Sequence, residues 1–249
     1  MDLGLADRRF LVGGASRGLG AAVAGALVAE GARVAGVSRG GTAAAGVTPL
    51  AVDLGARDGP AEAVTAAVEQ LGGLDGLVVN TGGPPGGTFE AIDEDAWERA
   101  IAGTLQSTIR LIREALPHLR EGRDPAIVIV LSSSVREPIP ALITSNVLRP
   151  GLSGLIKSLV SEIAPIRING VAPGRFDTDR VRSLDQTRAA ETGATVEAIQ
   201  AQTRARIPLG RYGDPAELGR VVTFLLSPAA SYLDGVILAV DGGMIRSLP

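Results

Sequence analysis

Short apolar segments alternate with segments of helical periodicity along the whole 249-residue chain. Short runs rich in Val, Ile and Leu are typical of strands that are buried on both faces, as in parallel sheets. Because helical segments separate these runs, we expect an α/β fold in which helices cover both faces of a single doubly wound parallel sheet. The predicted strands are 9–12, 33–37, 47–52, 74–79, 127–131, 166–172 and 235–240, and the predicted helices are 20–30, 61–71, 95–116, 145–164 and 215–226.

This pattern continues without an internal repeat or a long linker, so residues 1–249 are predicted to form one domain. The polar stretch 177–208 lacks a clear period, and we expect it to be an irregular flap on the substrate side. Pro150 falls within a predicted helix, where it must occupy the first turn or kink the helix. Pro117 falls near the end of the helix before it.

The scarcity of cysteine and histidine limits the chemistry that the chain can carry out. Cysteine is absent and His118 is the only histidine, which excludes disulfides and thiolate nucleophiles and argues against a metal site or a Ser–His–Asp triad. The net charge of −3 predicts no nucleic-acid partner and no polybasic membrane anchor. With no apolar run long enough to span a membrane and no signal-peptide pattern, we expect a cytoplasmic protein.

A glycine-rich turn lies between the first predicted strand and the first predicted helix. Glycines at this place let backbone N–H groups approach a pyrophosphate, and the helix N-terminus adds partial positive charge. The alternative is a tight turn that needs glycine for structural reasons alone, but the strand–turn–helix context favours cofactor binding. The turn reads Gly14-Ala15-Ser16-Arg17-Gly18-Leu19-Gly20.

Further motifs follow in a fixed order, and with them the chain resembles the short-chain dehydrogenase/reductase family over nearly its whole length. The motifs are the glycine turn, Asp53-Leu54, Asn80-Thr81-Gly82-Gly83, Asn169 to Gly174 with Thr178, Gly210 to Pro215, and Val240 to Gly243. Within that family the chain is similar overall to 3-oxoacyl-acyl-carrier-protein reductases. The resemblance implies a Rossmann-type fold, an NAD(P)-dependent oxidoreductase acting on a carbonyl or alcohol, and a homotetramer that pairs the helices 95–116 and 145–164 across two-fold axes.

The resemblance also assigns cofactor contacts outside the glycine turn. Asp53 and Leu54 are expected to hold the adenine ring. The nicotinamide carboxamide is expected in the loop that contains Pro173, Gly174 and Thr178. The segment Asn80, Thr81 and Gly82 stands where the family usually has Asn-Asn-Ala, and it is expected to line the cofactor.

The end of the second strand predicts which dinucleotide is bound. In dinucleotide folds an acid at this place binds the ribose 2′-hydroxyl, whereas arginine suits a 2′-phosphate. Here the strand ends with Ser38 and Arg39, without an acid, and Arg17 lies in the glycine turn. The two guanidiniums predict NADP (NADPH) in preference to NAD. The alternative is that both arginines are simply solvated.

The expected catalytic residues depart from the family's pattern of Asn, Ser, Tyr and Lys. Counting along the helix after Gly151 assigns the tyrosine position to Ser145 and the lysine position to Arg149, while Thr104 stands at the asparagine position and only Ser132 is retained. We expect Arg149 to bond the cofactor ribose, so that cofactor binding survives. Proton transfer should suffer, because a serine hydroxyl is a far weaker acid than a phenol.

Several charged residues flank the expected substrate side. Arg136 and Glu137 could polarise a substrate, although solvated loop residues are the favoured interpretation. An arginine-rich stretch suits an anionic substrate such as an acyl thioester, and the alternative is an exposed, solvated helix. Its members are Arg180, Arg182, Arg188, Arg204 and Arg206.

The altered catalytic positions leave two other functions open. One is a cofactor-binding relative without catalysis, such as a sensor or a regulatory subunit. The other is a non-redox enzyme on the same fold, such as an isomerase or dehydratase, because a fold does not fix a function.

Overall fold

The computed structural model describes residues 2–247, and a seven-stranded sheet runs through them. The strands are β1 (Arg9–Gly13), β2 (Arg33–Ser38), β3 (Val47–Ala51), β4 (Gly76–Val79), β5 (Ala126–Val130), β6 (Arg167–Pro173) and β7 (Ile237–Val240). Their order is β3-β2-β1-β4-β5-β6-β7, and every neighbouring pair is parallel. The predicted doubly wound parallel sheet is therefore confirmed.

Helices cover both faces of this sheet, so two apolar cores form. The helices are α1 (Gly18–Ala29), α2 (Gly59–Leu71), α3 (Glu94–Ala100), α4 (Ser107–Arg120), α5 (Ile143–Glu162), α6 (Asp179–Thr192), α7 (Val196–Arg204) and α8 (Pro215–Leu226). One core packs α2, α4 and α5 on the sheet, and the other packs α1 and α8. No helix within residues 2–247 combines the length and the apolar character that a bilayer crossing requires.

The strand order reverses beside β1, which pairs with β2 on one side and with β4 on the other. The chain therefore winds away from β1 in both directions. At the carboxyl ends of β1 and β4, the loops that follow the two strands run apart. In open α/β sheets a ligand crevice lies at this point. All strands are parallel, so the segments that follow β5 and β6 lie at the same edge of the sheet.

The stretch 177–208 is mostly helical, so the prediction that it is irregular is wrong, while its role as a flap on the substrate side stays a prediction. Thr178 caps α6 by accepting a hydrogen bond from the amide of Val181 at 3.3 Å, and Thr195 caps α7 through the amide of Ala198 at 3.2 Å. Gly193 ends α6 in the left-handed conformation. These caps stabilise both helices locally, although few of their residues are apolar enough to produce a helical period.

Prolines do not end the two long helices, and placement of Pro150 in a first turn is wrong. α5 already begins at Ile143, so Pro150 lies in its interior, and Pro117 lies inside α4. A proline removes one backbone hydrogen bond, but α5 buries Leu148 before the proline and Leu152 and Ile156 after it, and this packing holds the helix on both sides of the proline. The predicted helix 95–116 is divided into α3, a π-helical segment Ile101–Gln106 and α4.

Candidate active site at the carboxyl edge of the sheet

The glycine turn after β1 forms a tight cradle of backbone. Gly14 and Gly18 have φ values of 60° and 58°, in the left-handed region that side chains other than glycine rarely adopt. A Cβ atom on Gly20 would overlap the carbonyl oxygen of Gly14. Glycine is therefore required at these three positions by the backbone itself.

Asn80, directly after β4, braces this turn from the neighbouring strand. Its Nδ2 donates to the carbonyl oxygen of Gly13 at 3.2 Å, and it would lie 2.7 Å from a Cβ atom on Gly14. On the other side, a Cβ atom on Gly18 would lie 3.6 Å from Cγ2 of Thr178. The segments that follow β1, β4 and β6 thus meet at one place, as the sequence motifs predicted.

A nicotinamide dinucleotide fits this cradle. Within residues 2–247 no side chain caps the N-terminus of α1, so its first amides are open to a pyrophosphate. The cradle residues Ser16 and Arg17 are exposed, and Leu19 is half-buried. Thr81 is buried, Gly82 is exposed, and Pro173 is buried beside the half-buried Gly174.

Residues at the ends of β2 and β3 lie beside the cradle. The Ser38 hydroxyl closes a local turn, since it donates to the carbonyl of Thr42 at 3.0 Å and accepts from the Thr42 amide at 3.1 Å. Arg39 is exposed. Cδ1 of Leu54 lies 3.3 Å from a Cβ atom placed on Gly13, while Asp53 is exposed and accepts from the amide of Gly55. Their roles toward the adenosine end stay predictions.

Three serines gather beyond β5. The Oγ atom of Ser132 accepts from the amide of Ser134 at 3.1 Å, and the Oγ atom of Ser134 lies 3.0 Å from that of Ser145. Ser134 and Ser145 are buried, and Ser132 is half-buried. The structure therefore brings the two predicted serines together through Ser134, which the sequence analysis did not single out.

Arg149 lies one helical turn beyond Ser145 on α5, and its guanidinium reaches the end of β5. Nη1 donates to the carbonyl oxygens of Val130 at 2.7 Å and Leu131 at 2.9 Å. Burial, and then the nearby charge of Arg180, lower the pKa of Arg149 to about 10. Arg149 is therefore a buried cation at neutral pH. The expected bond to a cofactor ribose stays a prediction.

Thr104 lies in the π-helical segment between α3 and α4 and is buried. Its carbonyl oxygen accepts from Oγ1 of Thr108 at 2.7 Å. π-helical turns are rare and occur frequently at functional sites. This segment packs against α5, the helix that carries Ser145 and Arg149.

Of the arginine-rich stretch, Arg180 is the residue that contacts the site loops. Its Nη2 donates to the carbonyl oxygen of Pro84 at 2.8 Å. Arg182 instead pairs with Asp177 and Asp179, and Arg188 donates to Gln202. Arg204, the last residue of α7, is half-buried, and Arg206, which follows that helix, is exposed. Arg136 and Glu137 are exposed as well, which agrees with solvated loop residues.

Comparison with known proteins identifies the fold's family. A family model described as Enoyl-(Acyl carrier protein) reductase matches residues 14–245. The chain belongs to the short-chain dehydrogenase/reductase family. This membership confirms the resemblance that the sequence motifs predicted.

Relatives within the short-chain dehydrogenase/reductase family include ketoacyl reductases. The chain is 33% identical to 3-oxoacyl-[acyl-carrier-protein] reductase MabA of Mycobacterium tuberculosis over 240 residues, which cover 96% of this chain and 93% of MabA. It is 32% identical to the corresponding reductase FabG of Vibrio cholerae, over 97% of this chain and 99% of FabG. The similarity to 3-oxoacyl-acyl-carrier-protein reductases is therefore shown.

Solved structures of the family include sugar oxidoreductases. The ligand-free aldohexose dehydrogenase of Thermoplasma acidophilum superposes with a TM-score of 0.91 at 28% identity, over 100% of both chains. L-sorbose reductase of Gluconobacter frateurii, complexed with NADPH and L-sorbose, superposes with a TM-score of 0.90 at 26% identity, again over 100% of both chains. The fold and the oxidoreductase family are thus common to relatives with different substrates.

Proposed function

We propose that this member of the short-chain dehydrogenase/reductase family is an NADP(H)-dependent oxidoreductase that interconverts a carbonyl and an alcohol by an altered proton route. One observation carries the proposal. The glycine cradle and the group formed by Ser132, Ser145 and Arg149 lie at the same edge of one parallel sheet. Hydride transfer requires the cofactor and the polarised substrate to lie next to each other, as this placement would allow.

The cradle residues Gly14, Gly18 and Gly20 would hold the dinucleotide's pyrophosphate against the uncapped N-terminus of α1. When bound, the nicotinamide supplies or accepts a hydride at its C4 atom. Asn80 holds the cradle in shape, and Thr178 faces it from the loop after β6.

Preference for NADP(H) is supported by charge. Arg17 and Arg39 are both exposed, and β2 itself ends without an acid that would accept bonds from a ribose 2′-hydroxyl. Guanidinium groups form bidentate hydrogen bonds with phosphate oxygens. We therefore expect NADP(H) to bind more tightly than NAD(H).

The proton route follows from the acidity of the groups present. The hydroxyls of Ser132 and Ser145 would donate hydrogen bonds to the substrate oxygen, and the cation of Arg149 would stabilise negative charge that develops there. An aliphatic hydroxyl does not ionise in the accessible pH range, so the alcohol proton would come from water. General-acid catalysis typically contributes about 10²–10⁴-fold, and we expect slow turnover for lack of it.

The substrate is proposed to be a small, anionic molecule, because arginines border the site. The similarity to 3-oxoacyl-[acyl-carrier-protein] reductases makes acyl thioesters the first class to test. We further propose a cytoplasmic homotetramer. The exposed apolar residues Val147 on α5 and Leu238 on β7 support contact between copies. Sedimentation that gives a monomer would contradict the tetramer.

Titration calorimetry with NADP⁺ and NAD⁺ tests the cofactor proposal. We expect tighter binding of NADP⁺ and a loss of that preference in Arg39→Ala. Arg33→Ala is the matched control, because Arg33 is exposed at the opposite end of the same strand. Equal affinities in the wild type, or an unchanged ratio in Arg39→Ala, would contradict the proposal.

The rival function, a cofactor-binding protein without catalysis, is favoured by the serine and arginine at the expected tyrosine and lysine positions. Single-turnover mixing of the NADPH complex with carbonyl compounds separates the two. The oxidoreductase oxidises NADPH in step with alcohol formation. The non-catalytic relative binds NADPH and leaves it reduced.

A further inference from the structure

The guanidinium of Arg149 keeps hydrogen-bonding capacity that the protein does not use. Within residues 2–247, its hydrogen bonds to Val130 and Leu131 both come from Nη1. The enclosed side-chain atoms without a partner in that range belong to Arg8, Ser153 and Thr223. Nε and Nη2 of Arg149 are therefore open to a ligand, although the residue as a whole is 7% exposed.

Arg180 is held against the same site by the loop after β4. Its guanidinium carbon would lie 3.2 Å from a Cβ atom on Gly83, and its Nη2 donates to the carbonyl of Pro84. The next carbonyl, that of Pro85, accepts from Oγ1 of Thr144 at 2.7 Å. Because Thr144 directly precedes Ser145 in α5, one Pro-Pro segment fixes both Arg180 and the N-terminal turn of α5.

Neither guanidinium has an acidic partner among the described residues. Arg149 and Arg180 are absent from the salt bridges there, and the carboxylates nearest to Arg180 in sequence, Asp177 and Asp179, pair with Arg182. Burial lowers the pKa of both arginines, and the charge of Arg180 lowers that of Arg149 further. Arg180 is exposed at the rim and Arg149 is buried. Two like charges close enough to interact, without a counter-ion among the described residues, favour binding of an anion.

We propose that Arg149 and Arg180 bind the carboxylate of a short oxo acid or hydroxy acid, with Arg149 on the floor of the site and Arg180 at its rim. This inference rests on the proposed function and narrows its substrate. Ser145 and Arg149 are one turn apart on α5. A short oxo acid would present its carbonyl to Ser145 and its carboxylate to the two arginines.

The charge distribution distinguishes this class from the acyl thioesters. A 3-oxoacyl thioester carries no charge beside its reacting carbonyl, so it would offer no anion to Arg149 and Arg180. A free oxo acid places a carboxylate there, and arginine forms bidentate hydrogen bonds with carboxylates.

Binding measurements test the site without requiring turnover. Acetoacetate, 2-oxobutanoate and their methyl esters are titrated into the full-length protein in the presence and absence of NADP⁺. We expect each acid to bind at least about tenfold more tightly than its ester, as loss of a charge-assisted hydrogen bond implies. Arg180→Gln should remove this difference, and Arg180→Lys should retain part of it.

Arg182→Gln is the matched control, since Arg182 lies on the same helix and pairs with Asp177 and Asp179. It should bind the acids as the wild type does. Equal binding of acid and ester, or an equal loss in Arg182→Gln, would overturn the proposal. The proposal would also be overturned if Arg180→Gln lowered the affinity for NADP⁺ and not the affinity for the acids. Arg180 would then bind the cofactor phosphates.

Steady-state kinetics with NADPH separate this inference from the proposed function. Arg180→Gln should raise KM for the acids and leave KM for the esters unchanged. Turnover of neutral ketones and thioesters without preference for acids would leave the proposed function intact and overturn the carboxylate site. Binding of acids that depends on Arg180, without any NADPH oxidation, would support the carboxylate site and contradict the proposed function.

Discussion

The hydroxyl oxygens of Ser134 and Ser145 lie 3.0 Å apart in the buried region beyond β5. Either hydroxyl can donate to the other, and when Ser134 donates, the Ser145 proton is free to bond a substrate oxygen. If Ser145 binds the substrate oxygen, Ser134 determines where its proton points. Ser134 is therefore a positioning residue in this account.

Ser134→Ala should lower kcat while leaving KM for NADPH unchanged. A lost neutral hydrogen bond is worth about 1 kcal/mol, so a decrease of about fivefold to tenfold is expected. Initial-rate kinetics measure both constants. Ser158→Ala is the control, because Ser158 is exposed on α5 and bonds only the carbonyl of Gly154 among the described residues. A change confined to thermal stability would assign Ser134 a purely structural role.

Gly20→Ala should abolish dinucleotide binding or prevent folding. Its Cβ atom would overlap the Gly14 carbonyl and lie 2.6 Å from Nδ2 of Asn80, both part of the cradle. Gly25→Ala on the same helix is the comparison, because its Cβ atom would meet nothing within 4 Å. That variant should be more stable by about 0.5–1 kcal/mol, from helix propensity. Titration calorimetry measures NADP⁺ binding by both variants, and urea unfolding measures their stability. Normal NADP⁺ binding by Gly20→Ala would contradict the role of the cradle in cofactor binding.

The parallel sheet and the cradle could be predicted from the sequence, because both depend on local patterns. Short, continuous apolar runs such as 127–131 between helical segments are typical of buried parallel strands. Gly14 and Gly18 are required by their own backbone conformations, and Gly20 by its contact with the Gly14 carbonyl. Ser132 and Ser145 were instead singled out through the resemblance to the family, and their catalytic roles stay predictions.

The parts that could not be predicted depend on contacts between distant segments. Arg180 bonds Pro84, 96 residues away along the chain, and no local period marks that contact. Ser134 stands in a run of three serines, and the sequence does not reveal which hydroxyl faces α5. The stretch 177–208 was predicted to be irregular because its helices depend on caps at Thr178 and Thr195 rather than on an apolar face.

Asp75 should make stability depend on pH in the acid range. The residue precedes β4 and its side chain is fully buried, bonded by Nε and Nη2 of Arg9 at 2.9 and 2.8 Å and by the amide of Arg123 at 2.7 Å. Burial raises its pKa, but the hydrogen bonds from Arg9 and the Arg123 amide outweigh burial, and the pKa is lowered to about 2.

Because this pKa lies below the unfolded value of about 3.9, the stabilisation is present above pH ~4 and is lost as the pH falls toward 2. The shift corresponds to about 2 kcal/mol. Urea unfolding of wild type and Asp75→Asn should therefore differ most at neutral pH and converge in acid. A difference that stays constant from pH 7 to pH 3 would contradict the assignment.

The measurement that tests the central claim most directly is NADPH oxidation across a panel of oxo acids, ketones, aldehydes and acyl thioesters, with wild type, Ser132→Ala and Ser158→Ala. We expect slow, stoichiometric conversion of at least one carbonyl by the wild type and by Ser158→Ala. In Ser132→Ala the rate should fall by about 10²-fold, the typical effect of removing a hydrogen-bond donor to a developing oxyanion. Turnover that Ser132→Ala leaves unchanged, or no NADPH oxidation with any member of the panel, would contradict the account.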